Sequence, residues 1–290
     1  MVKALIQTLR PRQWTKNLVI FAGLIFDGQF LQLSPFLRVL GAALLFCLIS
    51  GVTYTINDLL DIEADRLHPQ KQNRPIASGR LSKNQAIGFS IFLLVFSLVG
   101  GYLLSPRLAL IFAAYMLLML AYSLWLKKVM ILDVLVIASG FVLRVLAGLS
   151  VIQVAYFSPW LFILTTLLAM YLAFGKRLAE LKLLETNAVS HRKTLDGYTV
   201  PLLSQYSIVI LTAILITYTL YTFSAHPVQS NYSMMLTVPF VVFGIFRYLY
   251  LIQSDLITSS PEEVLLKDRP LQIAIVLWGL SVLAILYIVF

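Results

Sequence analysis

Long apolar runs follow one another along almost the whole chain, separated by short polar stretches. A helix needs about 20 predominantly apolar residues to cross a bilayer. Nine runs fit: Leu18–Leu33, Phe36–Ile56, Ala86–Leu104, Leu108–Leu126, Met130–Val151, Pro159–Gly175, Leu202–Phe223, Met234–Ile252 and Leu271–Phe290. Asp27 and Gly28 interrupt the first. The runs are continuous rather than alternating, which excludes a transmembrane β-barrel. The pattern predicts an all-α polytopic bundle of nine transmembrane helices, in one integral-membrane domain over residues 1–290. The segment before the first run, Met1–Asn17, carries Lys3, Arg10, Arg12 and Lys16 and has no long apolar core. It reads as a short interfacial helix, not a removable leader.

Composition agrees. Of the 290 residues 60% are hydrophobic and 12% charged, and the mean hydropathy is +0.88. A soluble domain carries about 25% charged residues, so most of this surface must face lipid. The single cysteine, Cys47, lies inside an apolar run. It permits neither a disulfide framework nor a cysteine metal site and reads as a small buried hydrophobe.

The formal net charge is +9. Its position beside the spans points to anionic lipid and anionic substrate, not nucleic acid. Counted by alternate loops, 18 of the 22 Lys and Arg fall on one side. Arg38 and Arg107 flank spans on the other side, and Arg144 and Arg247 lie within spans. The bias predicts a cytoplasmic N-terminus in a cell membrane and, with nine spans, a C-terminus outside. The acids follow the basic side, with Asp27 the clear exception. Positive-inside bias does not explain acids, so a polar site is expected on that face.

The second span runs into Asn57-Asp58-Leu59-Leu60-Asp61-Ile62-Glu63-Ala64-Asp65-Arg66. On a continuing helix Asn57, Asp58, Asp61 and Asp65 fall within an arc of roughly 100°. Three carboxylates converging at a helix end repel one another unless a cation sits among them. Mg²⁺ suits them, because it takes carboxylate oxygens together with substrate phosphate oxygens. The segment from His68 to Arg80 is rich in Pro and Gly and reads as a structured loop, with Lys71, Arg74 and Arg80 available to phosphates. Further cations lie at Lys127 and Lys128, after Tyr122, and at Lys176 and Arg177, followed by Glu180. Asp133 and Arg144 share the fifth span. About 16 Å of helix rise separates them, so each needs its own partner. Arg247 reads as an interfacial anchor.

The motif Asn57-Asp58-x-x-Asp61-x-x-x-Asp65 resembles the first Asp-rich motif of the UbiA superfamily of intramembrane prenyltransferases, and the resemblance covers the whole chain. Aromatic prenyltransferases of that superfamily carry a second Asp-rich motif where this chain has Lys176-Arg177-Leu178-Ala179-Glu180. A cationic patch there suits a substrate with additional phosphate. The strings Arg10-Pro11-Arg12-Gln13-Trp14-Thr15-Lys16-Asn17, Gly140 to Arg144, Lys176 to Glu180 and Asp268-Arg269-Pro270-Leu271 resemble its decaprenyl-phosphate phosphoribosyltransferase branch. That resemblance implies transfer of phosphoribose from phosphoribosyl pyrophosphate to a polyprenyl phosphate, with Mg²⁺ on Asp58, Asp61 and Asp65. It implies Lys176 and Arg177 as catalytic cations. It also implies substrate contacts from Lys16, Asn17, Asn57, Arg66, Lys71, Arg74, Tyr122, Lys127, Arg144 and Glu180. The competing expectations are prenyl transfer to a small aromatic acceptor, and a transporter, whose interrupted helices at the bilayer midplane this pattern lacks.

Overall fold

The computed structural model describes residues 2–69, 71–154, 159–186, 197–224, 232–253 and 267–289. Among the described residues there is no strand, and eight helices are long and apolar enough to cross a membrane. The chain divides into two compact units, Met1–Leu124 with Leu143–Ala155, and Trp125–Val142 with Tyr156–Phe290.

The first unit contains α1 (Val2–Thr8), a 3₁₀ segment (Pro11–Phe21), α2 (Ala22–Phe26), α3 (Leu33–Leu60), α4 (Ile62–Leu67), α5 (Lys83–Leu104), α6 (Pro106–Leu124) and the C-terminal part of α7 (Leu132–Leu149). The expected first span, Leu18–Leu33, is not a continuous α-helix. Pro11 opens a 3₁₀ segment, and Arg10 before it takes the left-handed conformation at φ 50°. A 3₁₀ helix rises about 2.0 Å per residue. The segment and the short α2 together therefore cover about 30 Å, the thickness of a bilayer core. Its contacts follow the same path: Arg10 meets Asp58 near the end of α3, while Asp27 and Gln29 line a cavity with Arg38 near its start.

Large apolar side chains fill this unit. Phe46 lies edge-on to Phe112 and Tyr115, with ring centroids 5.5 and 4.8 Å away, and Ile20, Leu24 and Leu108 close the same cluster. Such aromatic pairs contribute roughly 0.5–1.5 kcal/mol each beyond burial. At Gly148 the helix backbone lies against the Ile20 carbonyl, whose oxygen would sit 2.0 Å from a Cβ. α5 begins with a capping box: Ser82 Oγ accepts from the Gln85 amide, and Gln85 Oε1 accepts from the Ser82 amide. This start fixes where the preceding loop ends.

The second unit contains the N-terminal part of α7, α8 (Pro159–Thr186), α9 (Val200–Ser224), α10 (Val238–Gln253) and α11 (Arg269–Ala284). Its core includes Tyr171, Phe174, Leu203, Tyr248 and Leu271. Asp268 caps α11 by accepting from the Leu271 amide at 2.8 Å.

Candidate functional site

Within the first unit, α3 delivers Asp58 and α4 delivers Asp65, both buried. The expected unbroken helix through the acidic motif is interrupted. Leu60 ends α3, and Asp61 stands between it and α4 at φ −99°, ψ 15°. The interruption separates the acids. Asp61 accepts from Asn57 Nδ2 at 3.1 Å, whereas Asp58 and Asp65 share one nitrogen of Arg74, at 3.0 and 2.6 Å. Arg10 adds a second guanidinium, 2.5 Å from Asp58 Oδ1 and stacked over Tyr54 at 4.9 Å.

The loop carrying Arg74 is tied down locally. Ile76 and Leu81 are buried against Ile62, Ala4 and Ala86. The Leu81 amide donates to the Pro75 carbonyl, and Gly79 takes φ +77°, a conformation open to glycine. Arg80 reaches back to Gln7 and to the Asn73 carbonyl. Arg66 lies on the exposed side, paired with Glu63 at 3.3 Å and bonded to the Ala77 carbonyl. Lys71 is exposed, with its amide toward His68 Nδ1.

This donor set fits a divalent cation that also binds substrate. Mg²⁺ uses one or two carboxylates and takes its other oxygens from phosphates and water. Asp58 and Asp65 supply two converging carboxylates. Among the described residues no group of three or more His, Cys, Asp or Glu is placed to hold a metal. The third carboxylate expected from Asp61 is therefore not brought into the cluster.

Asn17 and Arg144, expected at the substrate, face inward. Arg144 is 5% exposed. Its Nε donates to Asn17 Oδ1 at 2.7 Å, its Nη2 to the Tyr115 hydroxyl at 3.0 Å, and its guanidinium lies over the rings of Phe46 and Tyr115. Asn17 in turn points its amide at Cys47 Sγ, 3.1 Å away. This network solvates a buried cation with neutral oxygens and aromatic faces. Lys16 and Tyr122 are half-buried in the same unit.

The second unit holds another ionic cluster. Asp133, fully buried, accepts from Arg177 Nε at 2.8 Å and from the Tyr198 hydroxyl at 2.9 Å. Arg177 also pairs with Glu180 at 2.8 Å. The Tyr198 oxygen accepts from the Ile131 amide at 2.8 Å. Ile131 sits at φ 68°, a strained conformation for a β-branched residue. Burial pushes the Tyr198 phenol up to about 12, so it stays a donor. Asp133 and Arg144 thus have separate partners, as their spacing demands. Lys176 is exposed and Lys127 half-buried. Arg192 and Lys193, two of the 18 cations counted on the basic side, lie outside the described residues.

Three contacts escaped the sequence pattern. Arg10 on Asp58 joins residues 48 apart, Asp133 on Arg177 residues 44 apart, and Arg247 forks onto Asp268 at 3.3 and 2.8 Å. Arg247 is therefore an ion-pair partner and not simply an interfacial anchor. Its hydrogen bonds hold the Asp268 carboxyl below the usual range. The only prior signal for Arg10 was its place in a basic string before a proline.

The UbiA prenyltransferase family model matches residues 18–262. The chain is 34% identical to the decaprenyl-phosphate phosphoribosyltransferase of Mycolicibacterium smegmatis, over 99% of this chain and 93% of that one. It is 31% identical to the enzyme of the same name from Mycobacterium tuberculosis, over 96% and 92%. Its backbone is similar to that of a UbiA homolog from Archaeoglobus fulgidus bound to GPP and Mg²⁺. That likeness has a TM-score of 0.74 at 19% identity, over 98% of this chain and 99% of that one.

Proposed function

This chain belongs to the UbiA prenyltransferase family, and on that premise we propose that it transfers 5-phosphoribose from phosphoribosyl pyrophosphate to a polyprenyl phosphate, releasing diphosphate. It is an integral membrane protein with eight span-length apolar helices among its described residues. The observation that carries the reaction is near-full-length identity of 31–34% to relatives named decaprenyl-phosphate phosphoribosyltransferase. The cluster of Asp58, Asp65, Arg10 and Arg74 supports it, because it pairs carboxylates for a metal with guanidiniums for phosphate oxygens.

In this reading Asp58 and Asp65 hold Mg²⁺, with Asp61 and Asn57 beside them. The ion, when bound, offsets charge on a diphosphate leaving group. Arg74 and Arg10 sit where they can turn from carboxylates to phosphate oxygens. The bond from the anomeric carbon to diphosphate breaks as a bond to the lipid phosphate oxygen forms. The lipid phosphate is already an anion, so it needs positioning more than a general base. Lys16, Arg66 and Lys71 are assigned to substrate phosphates, as are Lys127 and Lys176, on the resemblance alone. Tyr122 is assigned as a substrate contact on the same ground. Asn17 and Arg144 support from within the first unit, and Arg177 with Glu180 within the second. The Asp-rich end and the N-terminus are assigned to the cytoplasmic face and the C-terminus to the other, from the one-sided Lys and Arg.

The test uses purified protein, Mg²⁺, a polyprenyl phosphate and phosphoribosyl pyrophosphate labelled in the ribose. Label is expected in the lipid phase and is lost with EDTA. Asp58→Asn and Asp65→Asn are each expected to lower the rate by about 100-fold or more, the equivalent of several kcal/mol of charge stabilisation. Absence of lipid label, with prenyl transfer from a prenyl diphosphate to an aromatic acceptor, overturns the assigned substrates and keeps the family.

A further inference from the structure

The first unit has a polar concavity far from the acidic motif. A cavity of about 790 Å³ opens where the turn after α2, the start of α3, the α5–α6 turn and the end of α7 meet. Arg38 lines it, twenty residues before Asp58 on the same helix. That places it about 30 Å away along α3, at the opposite membrane surface. The size falls within the range of small-molecule sites, roughly 300–1,000 Å³.

Its chemistry has both signs. Arg38 is exposed and takes part in no hydrogen bond or ion pair among the described residues. Ser34, Ser105 and Ser150 place hydroxyls on the wall, and Gln32 an amide. α3 and α6, of 28 and 19 residues, both begin here, so their dipoles favour an anion beside Arg38. The same cavity holds a carboxylate, Asp27, which Gln29 fixes by hydrogen-bonding to it while also reaching the Gln153 carbonyl. Leu31, Leu33 and Leu103 stand nearby in sequence, each more than 70% exposed, as apolar surface for acyl chains. A lining with one cation, one carboxylate and an apolar border matches a lipid headgroup that carries a phosphate and a primary ammonium.

We propose that this cavity binds the headgroup of a zwitterionic phospholipid of the phosphoethanolamine type, with its phosphate at Arg38 and the serine hydroxyls and its ammonium at Asp27. The quaternary ammonium of a choline headgroup has no N–H to donate to Asp27, and a glycerol headgroup has no cation. The site is separate from the transfer reaction, so it stands whether or not the reaction assigned above is right.

Native mass spectrometry of the full chain in detergent tests this, with dioleoylphosphatidylethanolamine, dioleoylphosphatidylglycerol and dioleoylphosphatidylcholine added in turn. The ethanolamine lipid is expected to bind about tenfold tighter than the choline lipid, the scale of one charge-assisted hydrogen bond. Arg38→Gln is expected to weaken all three lipids, by about tenfold, because each carries the phosphate. Asp27→Asn is expected to weaken the ethanolamine lipid alone. Ser105→Ala, which leaves both charges in place, is expected to weaken all three by a few-fold. Soluble phosphoethanolamine is expected to compete only at millimolar concentration. Equal binding of ethanolamine and choline lipids, or unchanged binding in Arg38→Gln, overturns the proposal. Soluble phosphoethanolamine competing at the lipid's own concentration also overturns it, in favour of a free metabolite.

Discussion

Buried charge is expensive in a membrane protein, and each buried ion here is matched by particular neighbours. Asp133 and Arg177 form the most enclosed pair, at 0% and 2% exposure. Removing one partner of such a pair costs about 3–5 kcal/mol. Arg177 keeps Glu180 when Asp133 is lost, so Asp133→Ala is expected near the lower end, as a drop in melting temperature measured in detergent. Glu180→Gln is expected to cost less, because Asp133 remains. Tyr198 adds a pH dependence. Its folded pKa, about 12, lies above the ordinary 10. Between these values the unfolded chain releases a proton that the folded chain keeps, so this contribution is present below pH 10 and lost as pH rises through 12. Melting curves across that window should fall more steeply for the parent than for Tyr198→Phe; parallel curves would show that the phenol is not held this way. The partnerships of Asp133 with Arg177 and with Tyr198 were not legible in the sequence. Spacing along one helix reveals i, i+3 neighbours such as Arg177 with Glu180, whereas Asp133 with Arg177 depends on how α7 meets α8.

At the scale of elements, helix starts and close approaches decide where functional side chains stand. Asp268 does two things at once: it caps α11 and receives Arg247. Two substitutions separate them. Asn is as good a cap as Asp, so Asp268→Asn should keep the cap and lose the ion pair. Asp268→Ala should lose both, with a cap cost of about 0.5–2 kcal/mol. Thermal unfolding of the two variants at neutral pH should therefore rank parent, Asn, Ala. The carboxyl is held below its usual range, so its contribution is present above about pH 4 and lost as pH falls through the folded value, and Asp268→Asn should flatten the acid limb. Gly148 shows the same dependence on fit. Gly148→Ala places a Cβ 2.0 Å from the Ile20 oxygen, and the backbone of the 3₁₀ segment must shift. A loss of about 1–3 kcal/mol is expected, the usual cost of overpacking. The hydropathy pattern located the long helices well, because lipid demands continuous apolar runs. It gave a poor account of the first pass, where Pro11 opens a 3₁₀ segment after Arg10 at positive φ, and of the break at Asp61 between α3 and α4.

For the molecule as a whole, that first pass settles the number of membrane crossings. Eight helices have span length among the described residues. If the 3₁₀ segment and α2 did not cross, Lys3 and Leu31 would lie on one face. Two contacts argue that they do cross: Arg10 touches Asp58 toward the end of α3, while Asp27 and Gln29 share a cavity with Arg38 near its beginning. The intervening chain is about 30 Å long in its observed conformation, enough for one crossing and no more. Cysteine labelling can decide it, because Cys47 is the single cysteine and Cys47→Ser keeps an acceptor for the Asn17 amide. In that background Lys3→Cys, Leu31→Cys, Arg107→Cys and Lys128→Cys each place a thiol at an exposed position. With a membrane-impermeant maleimide on intact cells, Leu31→Cys and Arg107→Cys are expected to react. Lys3→Cys and Lys128→Cys should react only after permeabilisation, in keeping with the Lys and Arg bias. Lys3→Cys and Leu31→Cys labelling from the same side would mean that the 3₁₀ segment dips into the bilayer and returns. The contact of Arg10 with Asp58 would then not hold, because α3 still sets Asp58 about 30 Å from Arg38.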